Sequence, residues 1–299
     1  MNKQNLLGAI CLSLAASLWG GMYVVSKYVL DFIPPLTLVW LRYIIGFVFL
    51  FAILKAFRIK NKDCCAAIKK SDWLLITWIG FIGYCVSISF QFIGTKLSDA
   101  HTGSLITSAT PAFIVIFAKF VLKEKLTVRK IISVILASSG VVIVIGWDIH
   151  IGDYLLGSII LAGAAITWAL LSVYVKVASK RFSSLFITTY AILFAIVFTT
   201  PVMIWELYSY EIYYQSILII SGVLYLGIVS TAGAFFLWNK GMELMDAGIG
   251  SLFFFFQPVV GSFLGWLLLK EKLDVNFFIG GIFILAGVAI VTIKNRKTD

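Results

Sequence analysis

Apolar residues run along this chain in stretches of about twenty, parted by short polar and charged clusters, almost from end to end. In a helix, about 20 such residues span a hydrocarbon core of roughly 30 Å. Read between the clusters, the pattern predicts helices near residues 6–29, 35–57, 73–95, 101–121, 129–147, 154–178, 183–206, 215–238, 248–269 and 275–293. Runs this long must be helical, because lipid offers no partner for unpaired backbone groups, and the short alternating segments of a barrel are missing. The expected fold class is all-α and integral to a membrane, with ten transmembrane helices. The first run follows Lys3 in the manner of a signal peptide, but it extends to about Leu30 and nine more follow, so it reads as a retained helix.

The same pattern repeats internally. Asp99-Ala100-His101-Thr102-Gly103-Ser104-Leu105 returns 147 residues later as Asp246-Ala247-Gly248-Ile249-Gly250-Ser251-Leu252, and Pro111 returns as Pro258. Leu122-Lys123-Glu124-Lys125-Leu126 recurs unchanged as Leu269-Lys270-Glu271-Lys272-Leu273, and Gly140 meets Gly287. Towards the front of each copy, Trp19 aligns with Trp168 and Lys27 with Lys176 at an offset of 149. Five helices is an odd number, so copies over 6–147 and 154–293 enter the membrane from opposite sides. Two inverted five-helix repeats of this kind can rock about a shared site near the midplane.

Composition narrows the function. The chain is 61% hydrophobic and 13% charged, against roughly 45–50% and about 25% in soluble domains, and its mean hydropathy is +1.02. The connectors leave no room for a soluble domain, so any function sits inside the bundle. The net charge of +10 comes from membrane loops, not from one basic face, and implies no nucleic-acid partner. Lys55, Arg58, Lys60, Lys62, Lys69 and Lys70, then Lys123, Lys125, Arg129 and Lys130, then Lys180 and Arg181, fall on one side together with Lys3, Lys240, Lys294, Arg296 and Lys297. That bias predicts a multi-pass plasma-membrane protein with both termini cytoplasmic. Cys11, Cys64, Cys65 and Cys85 show no CxxC spacing, and His101 and His150 lie near segment ends, so neither a metal nor another cofactor is expected. All 14 carboxylates map to loops or segment ends, which argues against an enzyme and against a mid-membrane proton relay.

Trp19-Gly20 followed by Lys27, Pro35 and Arg42, then Pro111 with the Leu-Lys-Glu-Lys-Leu turn, then a glycine-bearing fifth helix, form one pattern that the second half repeats in part. This doubled pattern resembles the EamA domain of the drug/metabolite transporter superfamily over nearly the whole chain. The second copy departs from it, with Thr167-Trp168-Ala169 at the Trp-Gly pair and Ala191 where Arg42 would repeat. The resemblance implies a transporter of amino acids, other metabolites or drugs, with export the expected direction. It also implies a cavity formed by helices one, three, four, six, eight and nine. A channel or facilitator is the alternative, and a sensor or scaffold a more distant one.

Candidate site residues follow from helical spacing. Trp19, Tyr23 and Lys27 recur at four-residue steps; the stripe either lines a cavity or anchors at headgroup level, and the depth of Trp19 favours the cavity, with Lys27 near a mouth. Trp168 and Ser172 repeat that spacing. Tyr84, Ser87 and Gln91 form a stripe on the third helix, and Thr231 with Trp238 lies on the eighth; substrate contact or interhelical hydrogen bonding explains them. Pro111 and Pro258 each release a backbone carbonyl toward a cavity or merely kink the helix, and Thr110 and Gln257 precede them. Arg42, about seven residues into its helix, is assigned to an ion pair with Asp31, or secondarily to a substrate carboxylate. Glu124 and Glu271 are expected to clamp helix ends. Gly261, Gly265, Gly280, Gly281 and Gly287 favour close helix contact, within one chain or across a homodimer. The expected partners are a small-molecule substrate and membrane lipid.

Overall fold

The computed structural model describes residues 3–60, 69–123, 127–145, 152–210, 216–245, 247–273 and 275–292. Glu124, Lys125 and Leu126 of the first twin turn lie outside the described residues, as do Lys62, Cys64, Cys65, His150, Asp246, Lys294, Arg296 and Lys297. Among the described residues, every regular element is helical. The helices are α1 Lys3–Val29, α2 Pro35–Lys60, α3 Lys70–Leu97, α4 Ala100–Val121, α5 Val128–Ile145, α6 Asp153–Ala178, α7 Ser184–Ser209 and α8 Ile217–Leu244. Next, α9 winds through Ala247–Gly250, tightens into a 3₁₀ stretch over Ser251–Phe255 and continues as Phe256–Leu269; α10 is Val275–Thr292. Seven of these, α1–α4 and α6–α8, are long and apolar enough to cross a membrane, and Phe253–Leu269 and Val275–Gly287 are shorter apolar stretches.

The departures from continuous helix have local causes. Pro258 has no N–H to give the carbonyl four residues back, and the chain just upstream takes up the tighter 3₁₀ bonding. In α4 the helix ends at Thr107, turns at Ser108 and Ala109, and restarts at Thr110 with Pro111 in its first turn, where the missing N–H costs nothing. Two π-helical stretches, Gly80–Ser87 in α3 and Tyr225–Gly233 in α8, overlap one another at the offset of the repeat. Lys123 and Lys270, twins in the repeated turn, both take left-handed backbone, with φ 57° and 55°.

The two stretches of chain interlock along their length. The principal helix contacts are α1 with α8 and α9, α2 with α7, α3 and α4 with α6, α4 with α9, and α5 with α10. Each of these pairs joins a helix of the first stretch to one of the second. Small residues make the closest approaches possible. A Cβ on Gly157 would meet Leu97 Cβ at 2.8 Å and the Gly94 carbonyl at 2.9 Å; one on Gly20 would meet the Gln257 carbonyl at 2.7 Å. Gly261 lies against Ser104 and Gly140 against the Gly280 carbonyl, so these glycines serve contacts within the chain.

Adding one methyl group at such a crossing forces backbones apart, at a typical cost of about 1–3 kcal/mol. Gly157→Ala is therefore expected to lower the thermal midpoint of the detergent-solubilised protein by several degrees, measured by scanning fluorimetry. An unchanged midpoint would contradict the close α3–α6 crossing.

Candidate functional site

Where α1, α3, α4, α6, α8 and α9 meet, aromatic rings surround a small cavity of about 20 Å³. Trp19 is the hub. Its ring lies 5.2 Å from Trp168, 5.4 Å from Trp238 and 5.8 Å from both Phe235 and Phe254, in edge-on or tilted arrangements. These geometries suit ring quadrupoles, which disfavour face-to-face stacking. The Trp19 indole N–H is held by the Ser230 carbonyl at 3.1 Å. That carbonyl belongs to the π-helical stretch of α8, where the widened turn leaves backbone groups open to outside partners.

Six of the sequence-derived candidates reach the cavity wall: Trp19, Ser87, Gln91, Thr110, Trp168 and Gln257. The others stand behind it. Tyr23 bonds Thr107 at 2.7 Å and accepts from the Gln91 amide. Tyr84 stacks on Phe235 at 4.7 Å and accepts from Asn239 at 3.0 Å. Trp238 backs Trp19 and Phe254. Ser172 spends its hydroxyl on the Trp168 carbonyl at 3.0 Å, and Thr231 donates to the Leu226 carbonyl at 2.7 Å. Sequence reasoning missed Thr107, Phe235 and Phe254 on the wall. Helical spacing would have found two of them, since Phe235 precedes Trp238 by one turn and Phe254 precedes Gln257 by one turn.

At Pro111 the structure departs from a simply freed carbonyl: that of Thr107 accepts the Thr110 hydroxyl at 2.6 Å. Arg42 also departs from expectation. Its guanidinium is fully buried and pairs with no carboxylate among the described residues, while Asp31 is exposed. Arg42 donates to the Thr231 hydroxyl at 2.6 Å and the Ser230 hydroxyl at 3.1 Å, with the Met22 sulfur at 3.4 Å. Phe92 and Phe235 flank it, their ring centres 4.9 and 5.6 Å from the guanidinium carbon. Stacking on aromatic faces offsets part of the cost of burying the charge. Its neighbour Tyr43 donates to the Tyr84 carbonyl. Adjacent residues of α2 thus grip the π-helical stretches of both α8 and α3.

The ends of the bundle are fastened by charged side chains on helix termini. Lys27 donates to the carbonyls of Thr95, Lys96 and Ser98 at the end of α3. Lys176 does the same for Met242 and Met245 at the end of α8, at 2.9 and 2.6 Å. A cation there completes orphan carbonyls and complements the helix dipole. Lys27 is thus occupied with backbone. Conversely, Glu206 accepts from the first-turn amides of Leu36 and Thr37 at 3.2 and 2.6 Å. Glu271 accepts from the amides of Ala100 and His101 at 2.8 and 3.0 Å and from the His101 ring at 2.8 Å.

Burial alone would raise the pKa of Glu271, but the hydrogen bonds from the His101 ring and the Ala100 and His101 amides outweigh it and hold the carboxyl below its usual value. At neighbouring Asp99, burial prevails and lifts the carboxyl above its usual value, against the pull of His101 and Lys27. A carboxyl depressed in the folded state stabilises above its unfolded pKa, and that contribution is lost as pH falls through the folded value. Acidification through about pH 4 is therefore expected to remove the part of the thermal midpoint that Glu271 supplies, while the raised Asp99 carboxyl acts in the opposite sense. Glu271→Gln should start lower at neutral pH and lose less over the same range; an identical pH profile in the two proteins would refute the clamp.

Comparison with known proteins places this architecture. The pattern of the EamA-like transporter family matches residues 6–146 and again 155–293. The chain is 28% identical to the uncharacterized transporter YetK of Bacillus subtilis (strain 168), over 99% of this chain and 90% of that protein. It is 26% identical to the uncharacterized transporter YoaV of the same organism, over 98% of each. An uncharacterized transporter of Archaeoglobus fulgidus matches at 22% over 99% of both chains. One crystal structure shares the fold, with a TM-score of 0.68 at 21% identity, over 95% of this chain and 96% of that one. With both halves matched by one family and seven helices fit to cross a membrane, the protein is a multi-pass membrane transporter belonging to the EamA-like transporter family.

Proposed function

We propose that this transporter moves small organic solutes by alternating access, its two five-helix halves rocking about the aromatic cavity. In this reading ten helices cross the plasma membrane, the halves over 6–147 and 154–293 are inserted upside down relative to one another, and both termini are cytoplasmic. The solutes are amphipathic: neutral amino acids or their derivatives, or lipophilic drugs, moved outward.

The observation that carries the reading is the make-up of the cavity wall. Trp19, Gln91 and Thr107 come from the first half, and Trp168, Phe235 and Gln257 from the second. A site shared in this way changes access when the halves tilt. A volume of about 20 Å³ holds roughly one water-sized group, so an organic solute passes only after the helices part, which is carrier behaviour. The matched lysines support inversion. Lys27 ties the far end of α1 to α3, whereas the Met245 tied by Lys176 lies against Gly8 at the start of α1.

Counterflow in proteoliposomes tests the mechanism. Preloading with a transported solute should accelerate uptake of its labelled form several-fold, and Trp19→Ala, which removes the hub ring, should abolish most of that flux. No acceleration by preloading would favour a pore. Single cysteines at Lys123 and Lys270 should react from opposite sides of the membrane; labelling of both from one side would end the inverted arrangement.

A further inference from the structure

Counting protons around the cavity fixes what its amides present. The Thr107 hydroxyl donates its one proton to the Gly103 carbonyl at 2.7 Å. It must therefore accept in its 2.7 Å bond with the Tyr23 hydroxyl, which leaves Tyr23 to accept from the Gln91 amide nitrogen. Gln257 likewise has to turn its nitrogen to Thr107, at 3.3 Å. This donation chain decides both amide orientations. Gln91 Oε1 and Gln257 Oε1 are left buried without a donor, and the Trp168 indole N–H is left without an acceptor. Gln91 is 9% exposed, Gln257 1% and Trp168 6%, and all three line the one cavity.

Buried polar groups without partners are rare and call for an explanation. Here two acceptors and a donor converge on one space with aromatic walls. No carboxylate lines it among the described residues, so the wall selects for N–H donors and not for an opposite charge. We infer that Gln91 and Gln257 are the specificity-determining pair of this transporter, their carbonyl oxygens receiving the N–H head of a primary amine or primary amide carried on an apolar or aromatic body. The inference rests on the carrier reading above, because it takes the same cavity as the solute's site. The present volume suits the head alone; the body enters when the halves part. A primary amide also gives its carbonyl oxygen to the Trp168 N–H. A primary ammonium instead lies against the faces of Trp19 and Phe254.

Three probes separate these possibilities on the detergent-purified full chain by isothermal titration. They are phenethylamine, phenylacetamide and N,N,N-trimethylphenethylammonium, which keeps the ring and the charge but has no N–H. At least one of the first two should bind, and the quaternary compound at least about tenfold more weakly than phenethylamine. Gln257→Met, which gives up the 3.3 Å bond to Thr107 and the hydrogen bond to the Tyr23 hydroxyl, should weaken the binding probe by about tenfold or more, and Gln91→Met should do the same. Trp168→Phe should penalise the amide more than the amine, which identifies the head. Equal binding of the quaternary compound, wild-type affinity in both methionine variants, or no binding of any probe overturns the inference. If a methionine variant does not fold, the quaternary comparison on the unaltered protein decides. Flux of labelled phenethylamine in proteoliposomes distinguishes the two readings. Binding that depends on N–H without flux sinks the carrier and leaves the glutamine pair; flux indifferent to N–H sinks the pair and leaves the carrier.

Discussion

In hydrocarbon a polar group has only the protein to turn to, and the bundle is organised around meeting that demand. Arg42 shows it most clearly. A buried guanidinium with no acid beside it is costly, and it is tolerated here because two hydroxyls of α8 and two aromatic rings surround it. Those hydroxyls, on Ser230 and Thr231, belong to a π-helical stretch. The Ser230 carbonyl in turn holds the Trp19 indole, and Tyr43 holds the matching stretch of α3. Two neighbouring residues of α2 therefore set the wall of the cavity although neither lines it.

The ends of the bundle answer the same demand differently. Helix termini expose unpaired amides and carbonyls, and here they are met by side chains from other helices. Lysines take the carbonyl ends of α3 and α8, and glutamates take the amide ends of α2 and α4. Glu206 and Glu271 belong to the second half and cap helices of the first, so these contacts bridge the halves at one end. A motion that opened that end would break them, and the acidity of Glu271 is coupled to the same closure. Between the ends, glycines let helices of opposite halves touch backbone to backbone, which leaves a tightly closed middle and a cavity of molecular dimensions only for a head group.

Much of this was legible beforehand, and the reason is periodicity. The apolar runs placed the helix ends within about three residues, except that α8 runs six residues further to Leu244, because length and hydropathy are local properties. The repeat placed the two prolines, the left-handed Lys123 and Lys270, and the paired Lys27 and Lys176 at matching positions. Four-residue spacing put Trp19 and Trp168 on their helices' inner faces, and the Ser87 and Gln91 stripe reached the wall as well.

The all-helical membrane character, the doubled pattern and the inward-turned faces can thus be read from the residues alone, since each depends on residues within a few turns of one another. Which groups bond to which emerges only from the folded bundle. Arg42 finds Thr231 across 189 positions of sequence, not the nearby Asp31. The carbonyl freed by Pro111 accepts the Thr110 hydroxyl, and Lys27 is spent on the end of α3. Helix crossings bring such groups together, and crossing geometry is set by the packing of the whole bundle, which no local spacing encodes.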